Sequence, residues 1–249
     1  MGFGASAAAI PQKQLEDPLE HLPSTNILAF QKGRVIYDCD EPATSLYLVI
    51  DGKVKVCRTA RNGGQLVVDI YRTDEFFGES AFLGLPARNE EARAIENTKL
   101  MAWSTSALEE VVMQQPRLAV ALIQILVQRS IGYGRRIESF AVDGISRRVA
   151  DTLVRFSDRF GKPAEDGCVR MMPFTHELLS QYVGTSRELV TQCMNQFRRQ
   201  GYVRYSRQCI LLHRDALNNW LEQPWESRRS RGNRRRQEIG MSVMSGLPL

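Results

Sequence analysis

The sequence predicts an α+β fold in which an antiparallel β-roll, one long helix and a compact helical unit with a terminal hairpin follow one another. Three observations carry this. Between residues 28 and 103, short apolar–polar alternations recur between glycine-containing turns, which is the pattern of several short antiparallel strands. Residues 116–142 then run on with helical periodicity and no breaker other than glycine. Residues 143–222 hold four short helix patterns, a glycine turn and a two-strand pattern.

In the roll, LYLVIDGKVKVCRTARNGGQLVVDIYR alternates inward and outward residues about turns at Asp51-Gly52 and Asn62-Gly63-Gly64, where glycine supplies the positive φ of a tight hairpin. RAIENTKLMAWS reads as a further strand pair. Ser106 with Glu109 fits a capping box opening the helix ALEEVVMQQ. Pro116 restarts the chain as a second helix, proline being tolerated in a first turn. In PRLAVALIQILVQRSIGYGRRIESFA, Ala119, Leu122, Leu126, Tyr133, Ile137 and Phe140 form one seam, and Val120, Ile123, Val127 and Ile131 a second stripe. A helix with two apolar faces buries one on its own domain and the other on something else. The matching helix of a second subunit fits, making this a dimerisation helix; burial within one chain is the alternative. Gly132 and Gly134 cost the helix about 2 kcal/mol relative to alanine.

The third unit begins with the amphipathic ISRRVADTLVRFSDRF, followed by GKPAEDG as a loop and THELLSQYV as a helix capped by Thr175. Gly184 makes a tight turn into SRELVTQCMNQFRRQ, which Gly201 ends. YVRYSRQCILL is a short hairpin and RDALNNWL a final helix. Helix, tight turn, helix and hairpin together make a winged helix-turn-helix. In that arrangement the second helix enters the major groove of double-stranded DNA with its first residues on base edges. Arg187, Glu188, Thr191, Gln192, Asn195, Arg198 and Arg199 supply long polar side chains for its exposed face, with Leu189, Val190, Met194 and Phe197 inward. Arginine pairs with guanine, glutamate accepts from cytosine and glutamine reads adenine. Arg187, Glu188 and Gln192 are therefore the expected base readers, with Thr185, Ser186, Arg198 and wing residue Arg207 on phosphate. Glu188 also completes a Thr185-x-x-Glu188 capping box, which is favourable without DNA.

Charge is distributed accordingly. Residues 175–214 hold six arginines against Glu177 and Glu188, whereas residues 1–140 hold 15 basic and 17 acidic residues. The formal excess of +5 resides in the tail 227–249, with six arginines and one glutamate; such a tail adds salt-sensitive affinity for DNA or is simply solvated. No apolar run approaches the roughly 18 residues of a membrane span. The N-terminus has no charged signal-peptide start, so a cytoplasmic location is expected. Cys39, Cys57, Cys168, Cys193 and Cys209 include no Cys-x-x-Cys pair, and no metal site is expected. No nucleophile–base pair or phosphate loop suggests an enzyme.

The order of roll, long helix and winged helix-turn-helix resembles the CRP/FNR regulators, the family of the cyclic-AMP receptor protein, over about residues 26–222. VGTSRELV and FFGESAFLGLPARNEEARA carry the resemblance most specifically. The second is similar to the family's phosphate-binding cassette, making the roll a cyclic-nucleotide-binding-like jelly roll. The resemblance implies that Gly78 gives backbone access, Glu79 holds a ribose hydroxyl and Arg88 pairs with a cyclic phosphate; it places Asn89 beside them and Tyr133 near the base. Cyclic AMP is the implied cofactor, a homodimer on a palindromic promoter site the implied assembly, and RNA polymerase the implied partner. The sequence departs from the family where Asn89, Glu90 and Glu91 replace a hydroxyl residue and small residues, because a carboxylate near the phosphate opposes an anionic ligand. An ion pair between Glu79 and Arg88 within the roll, a constitutive regulator with a degenerate pocket, or a ligand-sensing protein-interaction module are the competing readings. Arg187 and Glu188 match the positions that read G and C in the family's TGTGA-type half-site, and Gln192 replaces the third reader, an arginine. The expected organisation is a flexible segment 1–25, an effector domain 26–115, the dimerisation helix 116–142, the DNA-binding domain 143–222 and a basic tail 223–249.

Overall fold

The computed structural model describes residues 16–223, so the arginine cluster of the C-terminal tail lies outside the described residues. The chain divides into two compact units between Ala141 and Val142.

The first unit contains strands β1 (Ile27–Phe30), β2 (Val35–Tyr37), β3 (Ser45–Asp51), β4 (Lys53–Thr59), β5 (Gln65–Arg72), β6 (Phe76–Phe77), β7 (Glu91–Ala94) and β8 (Thr98–Ser104), then helices α1 (Thr105–Gln114) and α2 (Arg117–Val142). The strands form two four-stranded sheets, ordered β1-β8-β3-β6 and β2-β7-β4-β5, with antiparallel pairing throughout. Their facing sides share one core of Tyr37, Val49, Val54, Val56, Tyr71, Phe77, Ala92 and Leu100. The pleat of β3 turns Leu46 and Leu48 to the opposite side, where they meet Phe76, Trp103, Leu108 of α1 and Leu118 and Leu122 of α2. β3 is therefore apolar on both faces and ties α2 to the roll.

Several local expectations change. Ser104, rather than Ser106, caps α1 by accepting the Ala107 N–H at 3.2 Å, because strand β8 runs directly into the helix and leaves its last residue extended. Residues 16–23, expected within a flexible segment, pack against the unit. The Trp103 indole donates to Pro23 O at 2.9 Å, and Gln124 of α2 accepts the Glu16 N–H at 2.9 Å. A buried indole needs such an acceptor, and the segment provides it.

The second unit holds α3 (Ile145–Phe160), β9 (Lys162–Pro163), β10 (Val169–Met171), α4 (His176–Val183), α5 (Arg187–Arg199), β11 (Val203–Tyr205), β12 (Ile210–Leu212) and α6 (Arg214–Glu222). Its core gathers Phe156 against Phe160, Phe174 and Tyr182, and Phe197 against Trp220. The hairpin β11–β12 does not stand alone: β10 pairs β12 and β9 pairs β10, giving the order β11-β12-β10-β9. The stretch expected as a loop thus begins with strand β9, and three-residue β10 is too short to leave an alternation in the sequence. Its role is to cover the open edge of β12.

Gly52 and Gly63 both have positive φ, yet they differ in surroundings. A Cβ on Gly52 would lie 2.5 Å from Asn97 O and 2.8 Å from Thr98 Cα, whereas nothing lies within 4 Å of one on Gly63. Gly63→Ala should therefore cost about 1 kcal/mol for its left-handed backbone alone. Gly52→Ala should cost at least about 2–3 kcal/mol, since backbone must move as well. Urea unfolding of the two variants checks the difference; equal midpoints would contradict it.

Candidate functional site

The candidate nucleic-acid face is built on the junction of α4 and α5. Thr175 caps α4 by accepting the Leu178 N–H at 3.1 Å. Gly184 ends that helix with φ 68°, a left-handed turn suited to glycine. The N-cap of α5 is Ser186, not Thr185: its oxygen accepts the Leu189 N–H at 3.3 Å. The Glu188 backbone N–H, and next the Ser186 hydroxyl, hold the exposed Glu188 carboxyl below the usual range, so it stays ionised. Val190, Cys193, Met194 and Phe197 fill the core side of α5. Leu189, expected inward, is 37% exposed, because Val190 and Cys193 already occupy the core-facing positions of that turn. Arg187, Glu188, Gln192, Arg198 and Arg199 are exposed. Gln192, Asn195, Arg198 and Arg199 line a shallow groove of about 290 Å³.

Two expected members of the polar face are instead braces. The Thr191 hydroxyl donates to Arg187 O at 2.9 Å and so accepts from His176 Nδ1 at 2.9 Å. Burial, and then the neighbouring Arg187, lower the His176 pKa, keeping the ring neutral at neutral pH. Asn195 accepts from the Tyr205 hydroxyl at 3.1 Å, and Arg198 lies over the Tyr205 ring at 5.5 Å. The wing is thereby fastened to α5. Its turn is shaped by Ser206, whose oxygen accepts the Gln208 and Cys209 N–H groups at 3.1 and 3.2 Å, leaving Arg207 exposed at the tip. His176 and Tyr205 carry no motif in the sequence; only the fold brings them together.

The roll contains the second site. Gly78 has φ 86°, and a Cβ there would come within 3.0 Å of the Tyr47 ring and 3.1 Å of Ser45 O; conformation and crowding both require glycine. Arg88 is 3% exposed. Its guanidinium donates to Ser80 Oγ at 3.0 Å, Ser45 O at 2.9 Å and, more weakly, Gly78 O at 3.4 Å, and stacks on the Tyr37 ring at 4.0 Å. Gly78 and Arg88 thus lie together. Glu79 does not pair with Arg88: its ion pair, at 2.9 Å, is with Arg129 of α2. Arg129 also donates to Phe76 O and lies 4.8 Å over the Tyr71 ring. Tyr133 is half-buried beside Tyr71, its phenol pKa raised by burial. Asn89 is exposed. Arg129 was not legible as a site residue, although an arginine seven positions after Leu122 occupies the buried register of the helix.

That register also revises the reading of α2. Leu118, Ala121, Leu122 and Arg136 are its buried residues. Val120, Ile123, Val127 and Ile131 remain exposed, joined by Leu126 and Ile137 from the expected seam. The seam is split because Arg129 and Arg136, rather than Leu126 and Ile137, face the roll.

A model for the cyclic nucleotide-binding domain matches residues 27–115, and one for the Crp-like helix-turn-helix domain matches residues 147–220. Transcriptional regulator SdrP of Thermus thermophilus is 30% identical over 179 residues, covering 71% of this chain and 84% of that protein. The chain belongs to the CRP/FNR family of transcriptional regulators. A CRP-like cAMP-activated global transcriptional regulator of Mycobacterium tuberculosis is 27% identical over 212 residues, 85% of this chain and 90% of the relative. The crystal structure of a CRP/FNR-family regulator from Thermus thermophilus superposes with a TM-score of 0.67 at 28% identity, covering 80% of this chain and 99% of that one. FixK2 from Bradyrhizobium japonicum, at 23% identity and a TM-score of 0.69, shares the fold, with 80% of this chain and 98% of that one covered. As a CRP/FNR regulator the chain is a DNA-binding protein with an effector domain and not an enzyme. No helix among the described residues is long and apolar enough to cross a membrane.

If the wing is held to α5 through Tyr205 and Asn195, Tyr205→Phe should weaken DNA binding about 2- to 10-fold, the worth of one such hydrogen bond. Anisotropy titrations on a specific duplex check this; an unchanged dissociation constant would remove the brace from the interface.

Proposed function

We propose that the chain acts in the cytoplasm as a homodimer on palindromic promoter DNA, with RNA polymerase as the partner it addresses there and cyclic AMP as the ligand of its effector domain. The single observation that carries the DNA reading is the exposed row Arg187, Glu188, Gln192 and Arg198 on a helix whose other side is locked into the core. Arg187, Glu188 and Gln192 read bases; Thr185, Ser186 while it caps the helix, Arg198 and Arg207 face phosphate. The arginine-rich tail would add sequence-independent attraction. Gly78, Glu79, Arg88, Asn89 and Tyr133 form the effector site, to which the geometry adds Ser80 and Arg129. A cyclic phosphodiester suits a buried arginine and a backbone turn opened by glycine, and a ribose hydroxyl suits Glu79. Ligand engaging Glu79 reaches the partner of Arg129 on α2, so occupancy would shift the population of α2 arrangements and with it the two reading heads.

The dimer reading rests on the uncovered apolar row of α2, with Ile123 58% and Ile131 54% exposed. A matching helix would cover it. Val127→Glu combined with Ile131→Glu should convert the protein to a monomer in sedimentation; a dimer that survives both changes would move the interface elsewhere.

Selection of sites from random DNA should return a palindrome related to TGTGA, relaxed at the base pair facing Gln192. A strict TGTGA at that pair would refute the Gln192 assignment. On the selected site Arg187→Ala should lose about 5- to 150-fold in affinity, corresponding to about 1–3 kcal/mol of base discrimination, and little on unrelated DNA. Arg198→Ala should instead weaken both and lower the salt slope by about one.

A further inference from the structure

The effector pocket holds carboxylates of unequal standing. Glu79 is directly paired with Arg129 at 2.9 Å. Glu91 receives both Nε and Nη2 of Arg93, at 2.8 and 2.7 Å, and that hydrogen bonding keeps its carboxyl ionised and below the usual range. Glu90 has no such partner. It is 7% exposed, accepts a 3.3 Å hydrogen bond from the Tyr37 hydroxyl, and among the described residues forms an ion pair only with Arg58, at 3.9 Å, whose side chain is itself 54% exposed. A solvated arginine at that distance contributes little.

Glu90 also sits where its charge matters. The Tyr37 ring that donates its hydroxyl to Glu90 carries the Arg88 guanidinium on its face at 4.0 Å. One aromatic ring therefore separates the cation that would receive a phosphate from an under-compensated carboxylate. We propose that Glu90 is a proton-linked gate on this pocket: ionised, it repels an anionic ligand such as a cyclic phosphodiester; protonated, it admits it. The inference rests on reading the pocket as a phosphodiester site.

The direction of the proton linkage follows from the surroundings. Burial, and next the Glu79 charge, raise the Glu90 pKa, while Arg58, the Tyr37 hydroxyl and Arg88 oppose that rise. An anion beside Arg88 adds negative charge and raises it further. Binding then takes up a proton in the window between the free and the bound pKa. Affinity is highest below that window and falls as pH rises through it. Tyr37 remains a neutral donor throughout, its phenol pKa driven up by burial and by Glu90.

The test is calorimetric titration of the full-length protein with cyclic AMP, at about pH 5.5 and about pH 8, in two buffers of different ionisation enthalpy. Wild type should bind more tightly at the acidic end and take up protons. Glu90→Gln, which keeps an acceptor for Tyr37, should bind at least about tenfold tighter than wild type at the higher pH, with no proton uptake assigned to this site. Glu90→Ala should behave likewise, so a fold-specific failure of one variant leaves the other. Binding with equal affinity in wild type and Glu90→Gln at both pH values would overturn the gate while leaving the pocket intact. Absence of binding in all three proteins at both pH values would overturn the pocket reading and the gate with it.

Discussion

Strand β3 is buried on both faces, and most of the first unit depends on that constraint. Tyr47 and Val49 belong to the interior of the roll, while Leu46 and Leu48 reach the layer formed with α1 and α2. Close-packed interiors deform little, so a change inside the roll does not stop at the strand. It reaches Leu118 and Leu122 through side chains that have nowhere else to go. The polar contacts then add direction: Glu79 and Arg129 join the cassette to α2 at one height, and Arg136 joins α2 to β5 at another, donating to Val67 O and Val68 O at 2.6 Å. Val68 is the extra residue of a bulge opposite Val56 and Cys57, where the ladder leaves carbonyl groups for another donor.

The second unit solves a different problem. Its reading helix must show long polar side chains on one side and stay fixed on the other. Val190, Met194 and Phe197 anchor it, and the Gly184 turn sets its entry. Tyr205 and His176 add side-chain braces from the wing and from α4. The helix is thus fixed on the side that faces inward, and its exposed side chains are the ones with freedom to adapt.

Much of this was legible in the sequence. The β4–β5 hairpin at Asn62-Gly63-Gly64 left a clear turn signal, and the Thr175 cap and Gly184 turn announced the helix pair. The Asp51-Gly52 turn, expected as a hairpin, instead carries the chain from one sheet to the other, since β3 pairs with β6 and β8 and β4 with β5 and β7. Gly78 and Arg88 could be located through the cassette pattern. The rest was hidden for physical reasons. Ser104 caps α1 because a strand runs straight into the helix, which no capping pattern foresees. The register of α2 escapes an apolarity count because two of its inward positions are arginines, which such a count assigns to solvent. Glu90 looks like one of three similar acids; only its burial and its long 3.9 Å contact with a solvated Arg58 distinguish it. His176 and Tyr205 are ordinary residues until the chain folds.

The two arginines on α2 limit how that helix can move. A slide of one helical turn, about 5.4 Å along the axis, would draw Arg129 away from Glu79 and Phe76 O and lift Arg136 off the β5 carbonyls together. Both guanidinium groups would lose these acceptors in a low-dielectric setting, a far larger cost than any apolar slip along the same face. Helix α2 is therefore pinned in axial register like a key held by two wards. It can swing as one piece with the segment from Val67 to Glu79 that it grips, or let go of both grips at once, but it cannot creep.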